Sequence, residues 1–394
     1  MENSPRTTAF RRIRIYSSAM SSPAAFLEAF RATRLGVLID DAGDALHAAL
    51  VIPAESITET EINRALSLTG GLPFVALSPE RAAAFMLPSM ARPQVRTARA
   101  ENVHQSPLQF VSVEAREGIS TGISASDRAT TVAILGADAP QPRKLVKPGH
   151  IFPVETRQGG VLVKTAVPEG ALDIVTAAGF TDAALFMDLL DRAGALLSPD
   201  AAVAFAKAEG LPCLMLTSLI EYRLERETLV SRVAEAQLPT LEAGEVRSII
   251  YRSRIHEVEH IALVKGTVSH GGPILVRVQA ENTVADVFGG PTPPARKQIQ
   301  SSLRAIGARG EGVLLYLRRS FMDAAGGQPQ ILPYAPLPAS RSAVMMREYG
   351  VGAQILRDLG ITQIELLSTT SRSMVGLSSF GIAVVSQHSI PDLV

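Results

Sequence analysis

The chain has one cysteine, Cys213, and no tryptophan among 394 residues. A lone cysteine excludes an intramolecular disulfide and any zinc site built on several thiolates. It stands in the apolar run Pro212-Cys213-Leu214-Met215-Leu216 and reads as a small buried hydrophobe. A reducing, cytoplasmic compartment is expected. Excess charge is lacking too. Lys and Arg number 38, as do Asp and Glu, so the surplus of cations that a nucleic-acid partner requires is absent. No apolar run reaches the roughly 20 residues that span a bilayer. What is present is 46% hydrophobic and 19% charged, a globular composition. The length exceeds one ordinary core and points to two domains.

Residues 1–23 are read as a disordered N-terminal extension. Arg6, Arg11, Arg12 and Arg14 stand among serines, and Glu2 is the only acid before Glu28. That composition is loosely that of an organelle transit peptide. The simpler reading is a frayed extension, or a start placed upstream of Met20.

From residue 24 onward helical and strand patterns alternate. Residues 24–34 read as an amphipathic helix and 36–39 as a strand running into Asp40-Asp41. Thr58, with Glu61 three residues on, has the pattern of a capping box opening a helix over 57–68. Strands are expected at 74–77, 109–113, 131–134 and 211–216, and Asp200 is expected to cap a helix over 201–209. Residues 221–236 form a charged, helical stretch that Pro239 to Gly244 breaks. Beyond it, strands are expected at 246–251, 260–265, 274–279, 312–317 and 364–367. Helices are expected at 298–307 and 353–359, the latter ended by Gly360, with long loops at 283–296 and 322–342. The fold class is α+β, with two α/β sandwich-like domains at 24–238 and 239–394.

Three segments of the N-terminal half carry chemistry. In Thr121-Gly122-Ile123-Ser124-Ala125-Ser126-Asp127-Arg128-Ala129-Thr130-Thr131, a glycine among hydroxyls lets backbone N–H groups converge, and Arg128 adds a donor. That arrangement suits an anion such as a sugar phosphate. A hydroxyl-rich turn beside an Asp127–Arg128 neighbourhood would look the same. Pro148-Gly149-His150-Ile151-Phe152-Pro153 and Gly159-Gly160-Val161-Leu162 follow. The succession resembles 3,4-dihydroxy-2-butanone 4-phosphate synthase, from about Gly36 to Ala236 and including Leu219-Ile220-Glu221-Tyr222-Arg223.

The resemblance implies rearrangement of ribulose 5-phosphate with release of formate. It also implies Mg2+ to polarise sugar oxygens and carboxylates to move protons. The family's acidic loop reads Asp-Asp-Glu-Asp-Arg-Glu-Asn-Glu-Gly-Asp, whereas this chain runs from Asp40 and Asp41 through Ala42-Gly43-Asp44-Ala45-Leu46-His47 to Ala48-Ala49. The first metal-ligand Glu thus falls at Ala45, the second Glu at His47 and the last Asp at Ala49. The family's His-Thr-Glu-Ala becomes Val167-Pro168-Glu169-Gly170, so the metal-binding His is Val167 while Glu169 survives. The preceding Arg appears as Lys164, able to meet a phosphate as a point charge, and a further Glu falls at Asp188. Candidate catalytic residues are Asp41, His47, His150 and Glu169. Candidate phosphate-binding residues are Thr121, Gly122, Ser124, Asp127, Arg128, Thr131 and Lys164. His47 either joins a rebuilt metal site or simply packs.

The C-terminal half resembles GTP cyclohydrolase II through Glu259 to Gly266, Val276-Arg277-Val278, Asp286 to Gly289, Gly312 to Arg318 and Tyr349 to Gly360. The match runs from about Gly244 to Val385. The resemblance implies a zinc ion on three cysteines, but those positions hold Asn282, Pro293 and Ala295. The family's catalytic Arg falls at Met322, and its Thr-Asn-Asn-Pro-x-Lys stretch reads Ser368-Thr369-Thr370-Ser371-Arg372-Ser373, without the Lys.

The expectation is a homologue of the bifunctional riboflavin-biosynthesis protein with both sites degenerate: GTP ring opening lost, synthase activity lost, sugar-phosphate binding kept. Two alternatives stay open. One is an active or altered synthase joined to a non-catalytic cyclohydrolase-like domain. The other is a scaffold or regulatory partner of an intact paralogue. No cofactor is expected and no zinc; Mg2+ or Mn2+ would enter only through a rebuilt N-terminal site. Members of the family are homodimers, which implies a homodimer or a mixed dimer with a paralogue.

Overall fold

The computed structural model describes residues 22–41, 47–90, 108–254, 258–268, 272–289, 295–318, 341–368 and 381–391. The chain forms two compact units, dividing between residues 219 and 220.

Hydroxyl caps set the helix starts of the first unit. Ser22 opens α1 (Pro23–Thr33), Thr58 opens α2 (Glu59–Thr69) and Ser78 opens α3 (Pro79–Ala84), each accepting the backbone N–H three residues on. At Thr58 the box is reciprocal, because its own N–H donates to Glu61 Oε2 at 2.7 Å. Thr58→Ala is expected to cost about 1 kcal/mol, read as a lower thermal midpoint.

The strands of this unit are β1 (Gly36–Asp40), β2 (His47–Pro53), β3 (Phe74–Leu77), β4 (Leu108–Gln109), β5 (Val113–Ala115), β6 (Leu145–Glu155), β7 (Ala183–Asp188) and β8 (Cys213–Met215). They lie in the order β4-β6-β3-β7-β2-β1-β8, with β5 paired to β6. Four further helices belong to the chain up to the division: α4 (Ala125–Leu135), α5 (Val167–Ala177), α6 (Pro199–Ala208) and α7 (Leu216–Arg226), the last running across it. One sheet face carries Val37, Leu50, Val75 and Leu185 into a core with Ile62 of α2, Ala82 of α3, Val132 of α4 and Ala202 of α6. Cys213 belongs to this core as a free thiol. The alternate residues Leu38, Ala49, Val51 and Ala184 turn the other way and are as deeply buried. There α5 packs so closely that a Cβ on Gly170 would lie 2.7 Å from Leu38 Cδ2. The result is three layers, with helices on both faces of a mixed sheet.

The second unit has β9 (Val230–Thr240), β10 (Gly244–Ser253), β11 (Glu259–Lys265), β12 (Ile274–Ala280), β13 (Gly312–Leu317), β14 (Gln363–Ser368) and β15 (Ala383–Ser389), with α8 (Ala295–Arg309) and α9 (Arg341–Asp358). Their order is β15-β14-β12-β13-β11-β10-β9. Strands β9, β10, β11 and β13 pair antiparallel, while β13, β12, β14 and β15 run parallel. Leu303 and Ile306 of α8 pack on Val246, Leu275, Leu314 and Leu367.

The α+β class and two-domain architecture stand as expected; several elements differ. Residues 131–134 belong to α4 rather than a strand, because Ala129, Val132 and Leu135 recur on one buried helical face. The charged stretch 221–236 is helical only to Arg226, then becomes the edge strand β9. Because β9 is exposed on both faces, its sequence lacks the alternation that marks a half-buried strand. Ser198, not Asp200, caps α6, since Pro199 already occupies the first helical turn. The helix over 353–359 begins at Arg341, and residue 295 already lies in α8 rather than in a loop. Of the second expected loop, residues 322–340 lie outside the described residues, and 341 and 342 belong to α9. Among the described residues no helix is long and apolar enough to cross a membrane.

Candidate functional site

Sheet register builds a polar rim in the first unit. Phe152 of β6 pairs with Phe74 of β3, which pairs with Phe186 of β7. Two residues beyond Phe186, Asp188 pairs with Ala49 of β2, and two before Ala49, His47 faces Asp40 at the end of β1. The two-residue pleat therefore sets His150, Asp188, His47 and Asp40 along one end of the sheet. Asp41 follows directly, and Thr217 enters the same end because β8 runs parallel to β1. Since α5 leads into antiparallel-placed β7, its first turn, with Val167 and Glu169, lies at this end as well.

The four candidate catalytic residues share this rim, each held by a different partner. Asp41 Oδ1 accepts the Thr217 N–H at 3.0 Å, and Oδ2 accepts the Thr217 hydroxyl at 2.5 Å. Burial raises the Asp41 carboxyl above its ordinary pKa despite those bonds. His47 Nε2 lies 3.6 Å from Asp188 Oδ1. Burial raises Asp188, and His47 opposes the shift. His150 Nδ1 meets Glu114 Oε1. Glu169 is fully buried, with Lys164 Nζ 3.7 Å from its Oε1. Burial pushes the Glu169 carboxyl up to about 7, against the pull of Lys164, and lowers the Lys164 ammonium. Glu169 Oε2 and Lys164 Nζ have no hydrogen-bond partner.

The phosphate-binding candidates fall in two groups. Much of the first motif is spent on its own geometry. Asp127 Oδ2 accepts from the Ser120 hydroxyl at 2.9 Å and the Gly122 N–H at 2.9 Å, and the Asp127 N–H donates to Ser124 Oγ at 3.0 Å. Burial works against the Asp127 charge, but these bonds hold its carboxyl below the ordinary range. Thr131 is buried; it donates to Asp127 O and accepts the Ala115 N–H, both at 3.0 Å. Ser124 is the N-cap of α4. Thr121 is exposed beside Gly122, and Arg128 has a buried Nε without a hydrogen-bond partner. Lys164 stands apart from this group, ahead of α5 on the opposite sheet face.

Several positions at which the resemblance puts metal ligands carry side chains without a donor atom. Magnesium takes oxygen ligands, yet Val167 offers an apolar side chain that is 2% exposed, and Ala45 has no donor in its side chain. Among the described residues no three His, Cys, Asp or Glu side chains gather so as to hold a metal ion. In the second unit Asn282 turns its side chain to the Ala285 N–H at 3.2 Å, and Ala295 is buried at the start of α8. Pro293 and Met322 lie outside the described residues.

Beside Asn282 lies a network that sequence reasoning missed. Asp286 Oδ2 accepts the Asn282 N–H at 2.7 Å and the Tyr316 hydroxyl at 2.7 Å. Arg277 donates to Gln279 Oε1 at 2.7 Å and to the Leu367 carbonyl at 3.2 Å. Burial lowers the Arg277 guanidinium to about 10. Glu114 and Thr217 were missed as well. A charged residue between the buried Val113 and Ala115 was the available signal for Glu114; Thr217 gave none.

Residues 24–222 match the 3,4-dihydroxy-2-butanone 4-phosphate synthase family and residues 231–389 the GTP cyclohydrolase II family. The fusion of these two domains defines the class, and the chain belongs to the bifunctional riboflavin-biosynthesis family. It is 33% identical over 365 residues to the probable bifunctional riboflavin biosynthesis protein RIBA 2 (chloroplastic) of Oryza sativa subsp. japonica, covering 90% of this chain but 65% of that protein. It is 31% identical to the monofunctional riboflavin biosynthesis protein RIBA 3 (chloroplastic) of Arabidopsis thaliana, covering 92% of this chain and 72% of that one. Among solved structures it is similar to RibBX, a two-domain 3,4-dihydroxy-2-butanone 4-phosphate synthase from A. baumannii. The TM-score is 0.76 and the identity 28%, with 94% of this chain and 99% of that chain covered.

Proposed function

We propose that this protein is a member of the riboflavin-biosynthesis family that has lost both parent reactions and keeps a sugar-phosphate pocket in its first unit. The observation that carries this reading is the state of the rim's acids. Asp41 is tied to Thr217, Asp188 to His47 and Glu169 to Lys164. Burial raises the carboxyls of all three above their ordinary pKa, which disfavours the charge that Mg2+ needs. The buried Arg128 Nε and the exposed hydroxyl of Thr121 support a retained anion contact. Ribulose 5-phosphate is expected to bind in magnesium-free buffer, measured by calorimetry. Arg128→Ala should weaken it by about tenfold, the value of one charge-assisted contact; an unchanged affinity removes the pocket.

In the second unit, loss of GTP ring opening follows from Asn282 and Ala295 at thiolate positions. Elemental analysis of the purified protein should find zinc far below one ion per chain. Stoichiometric zinc would contradict this reading of the second unit.

A second reading is an altered synthase with a non-catalytic second unit. It is favoured by the gathering of Asp41, His47, His150 and Glu169 on one rim and by the likeness to RibBX. A chain without either reaction also suits a homodimer, or a mixed dimer with an intact paralogue that it scaffolds or regulates.

A further inference from the structure

Lysine ordinarily keeps its ammonium in water and buries the stem. Lys164, ahead of α5, does the reverse. Its side chain is 18% exposed, yet Nζ is buried without a hydrogen-bond partner. The turn that carries it is fixed, since the Lys164 N–H donates to Gly160 O at 3.0 Å and the preceding Val161 and Leu162 are buried. Glu169 Oε1 lies 3.7 Å from Nζ, and Glu169 Oε2 is buried without a partner too. Burial lowers the Lys164 ammonium; Glu169 opposes that shift and the Arg157 charge adds to it. A desolvated amine near another cation is the setting in which lysine turns nucleophilic near neutral pH. Burial of Nζ also selects the electrophile. A polyol would have to shed its hydration to reach it, whereas carbon dioxide is small, linear and uncharged and enters apolar packing.

We propose that Lys164 is a modification site for carbon dioxide, held as a carbamate on Nζ. The ammonium passes one proton to Glu169, leaving a neutral amine. The nitrogen lone pair bonds to the carbon of CO2, one C–O π pair moves onto oxygen, and a second N–H proton leaves to water. The products are the carbamate, a protonated Glu169 and one released proton, with no change of oxidation state. The surroundings suit the product better than the ammonium. Arg157 works against a cation at this position and for an anion. Protonated Glu169 can donate to a carbamate oxygen, which gives Oε2 the partner it lacks. The adduct also turns a candidate phosphate-binding cation into an anion, so phosphate and carbamate exclude one another at Lys164. Formation of the carbamate itself needs no sugar phosphate.

The test uses the full chain labelled with 15N-lysine and equilibrated with 13C-bicarbonate. The 13C spectrum is expected to show a carbamate carbon split by 15N, which identifies a lysine adduct without any variant. The split resonance should be lost in Lys164→Arg and kept in Lys207→Arg, whose lysine is exposed on α6. Arg157→Gln, at an exposed residue, should keep the fold and shift half-saturation to higher bicarbonate. No split resonance in the unsubstituted protein overturns the proposal, as does one that survives Lys164→Arg or is lost in Lys207→Arg. Unchanged half-saturation in Arg157→Gln also overturns it, and that result stands even where Lys164→Arg fails to fold.

Discussion

Replacing Lys164 and Glu169 together by methionine is expected to raise stability at pH 8 by about 1–4 kcal/mol, the range for exchanging a buried ion pair for apolar side chains. Glu169 has no exposed surface, its Oε2 lacks a hydrogen bond, and its counter-charge stands 3.7 Å away, too far to repay the lost hydration. Lys164→Met alone should cost about 3 kcal/mol, because it strands the carboxylate. The pH dependence identifies the cause. Folding raises the Glu169 carboxyl from 4.5 to about 7, so the folded chain binds this proton more tightly than the unfolded one. The stability it contributes is complete below 4.5 and is lost as pH rises through about 7. The lowered Lys164 acts oppositely, but in the alkaline range below its ordinary 10.5. Urea unfolding should show the wild type losing stability from pH 5 to pH 8 and the double variant losing less. A parallel loss in both would remove Glu169 as the source.

Gly149→Ala is expected to destabilise the first unit by about 3 kcal/mol, at the upper end for overpacking. The new Cβ would lie 2.2 Å from both the carbonyl carbon and the oxygen of Val113, so β5 and β6 must part. Gly179→Ala is the control. Its φ of +88 strains an alanine, but nothing lies within 4 Å, and the cost should be about 1 kcal/mol. Thermal midpoints of the two variants should separate accordingly; equal midpoints would mean that β5 yields freely.

Much of the fold was legible because local chemistry decided it. Thr58 and Glu61 bond to each other three residues apart. The runs 36–39, 74–77 and 312–317 are apolar enough to be interior strands. Residues 131–134 misled because the β-branched Thr131, Val132 and Ile134 favour strands in isolation, while the Ser124 cap and the buried face of α4 override that preference. The site was legible residue by residue but not as pairs. Asp41 and Thr217 are 176 positions apart, and His150 and Glu114 are 36 apart. Only the sheet order joins them. Glu169 could be read as a surviving acid; that it is buried against Lys164 depends on how α5 packs onto β1, which no sequence period records.

The central claim is that the rim no longer supports the synthase reaction, and turnover of ribulose 5-phosphate tests it most directly. Purified protein with Mg2+ would be followed for formate and the four-carbon phosphate, beside an active relative under the same conditions. The account predicts no formation of either product above the enzyme-free rate, with the relative active. Turnover by this chain that disappears in His47→Ala would contradict it, and would mean that Asp41, His47, His150 and Glu169 form a rebuilt lyase site.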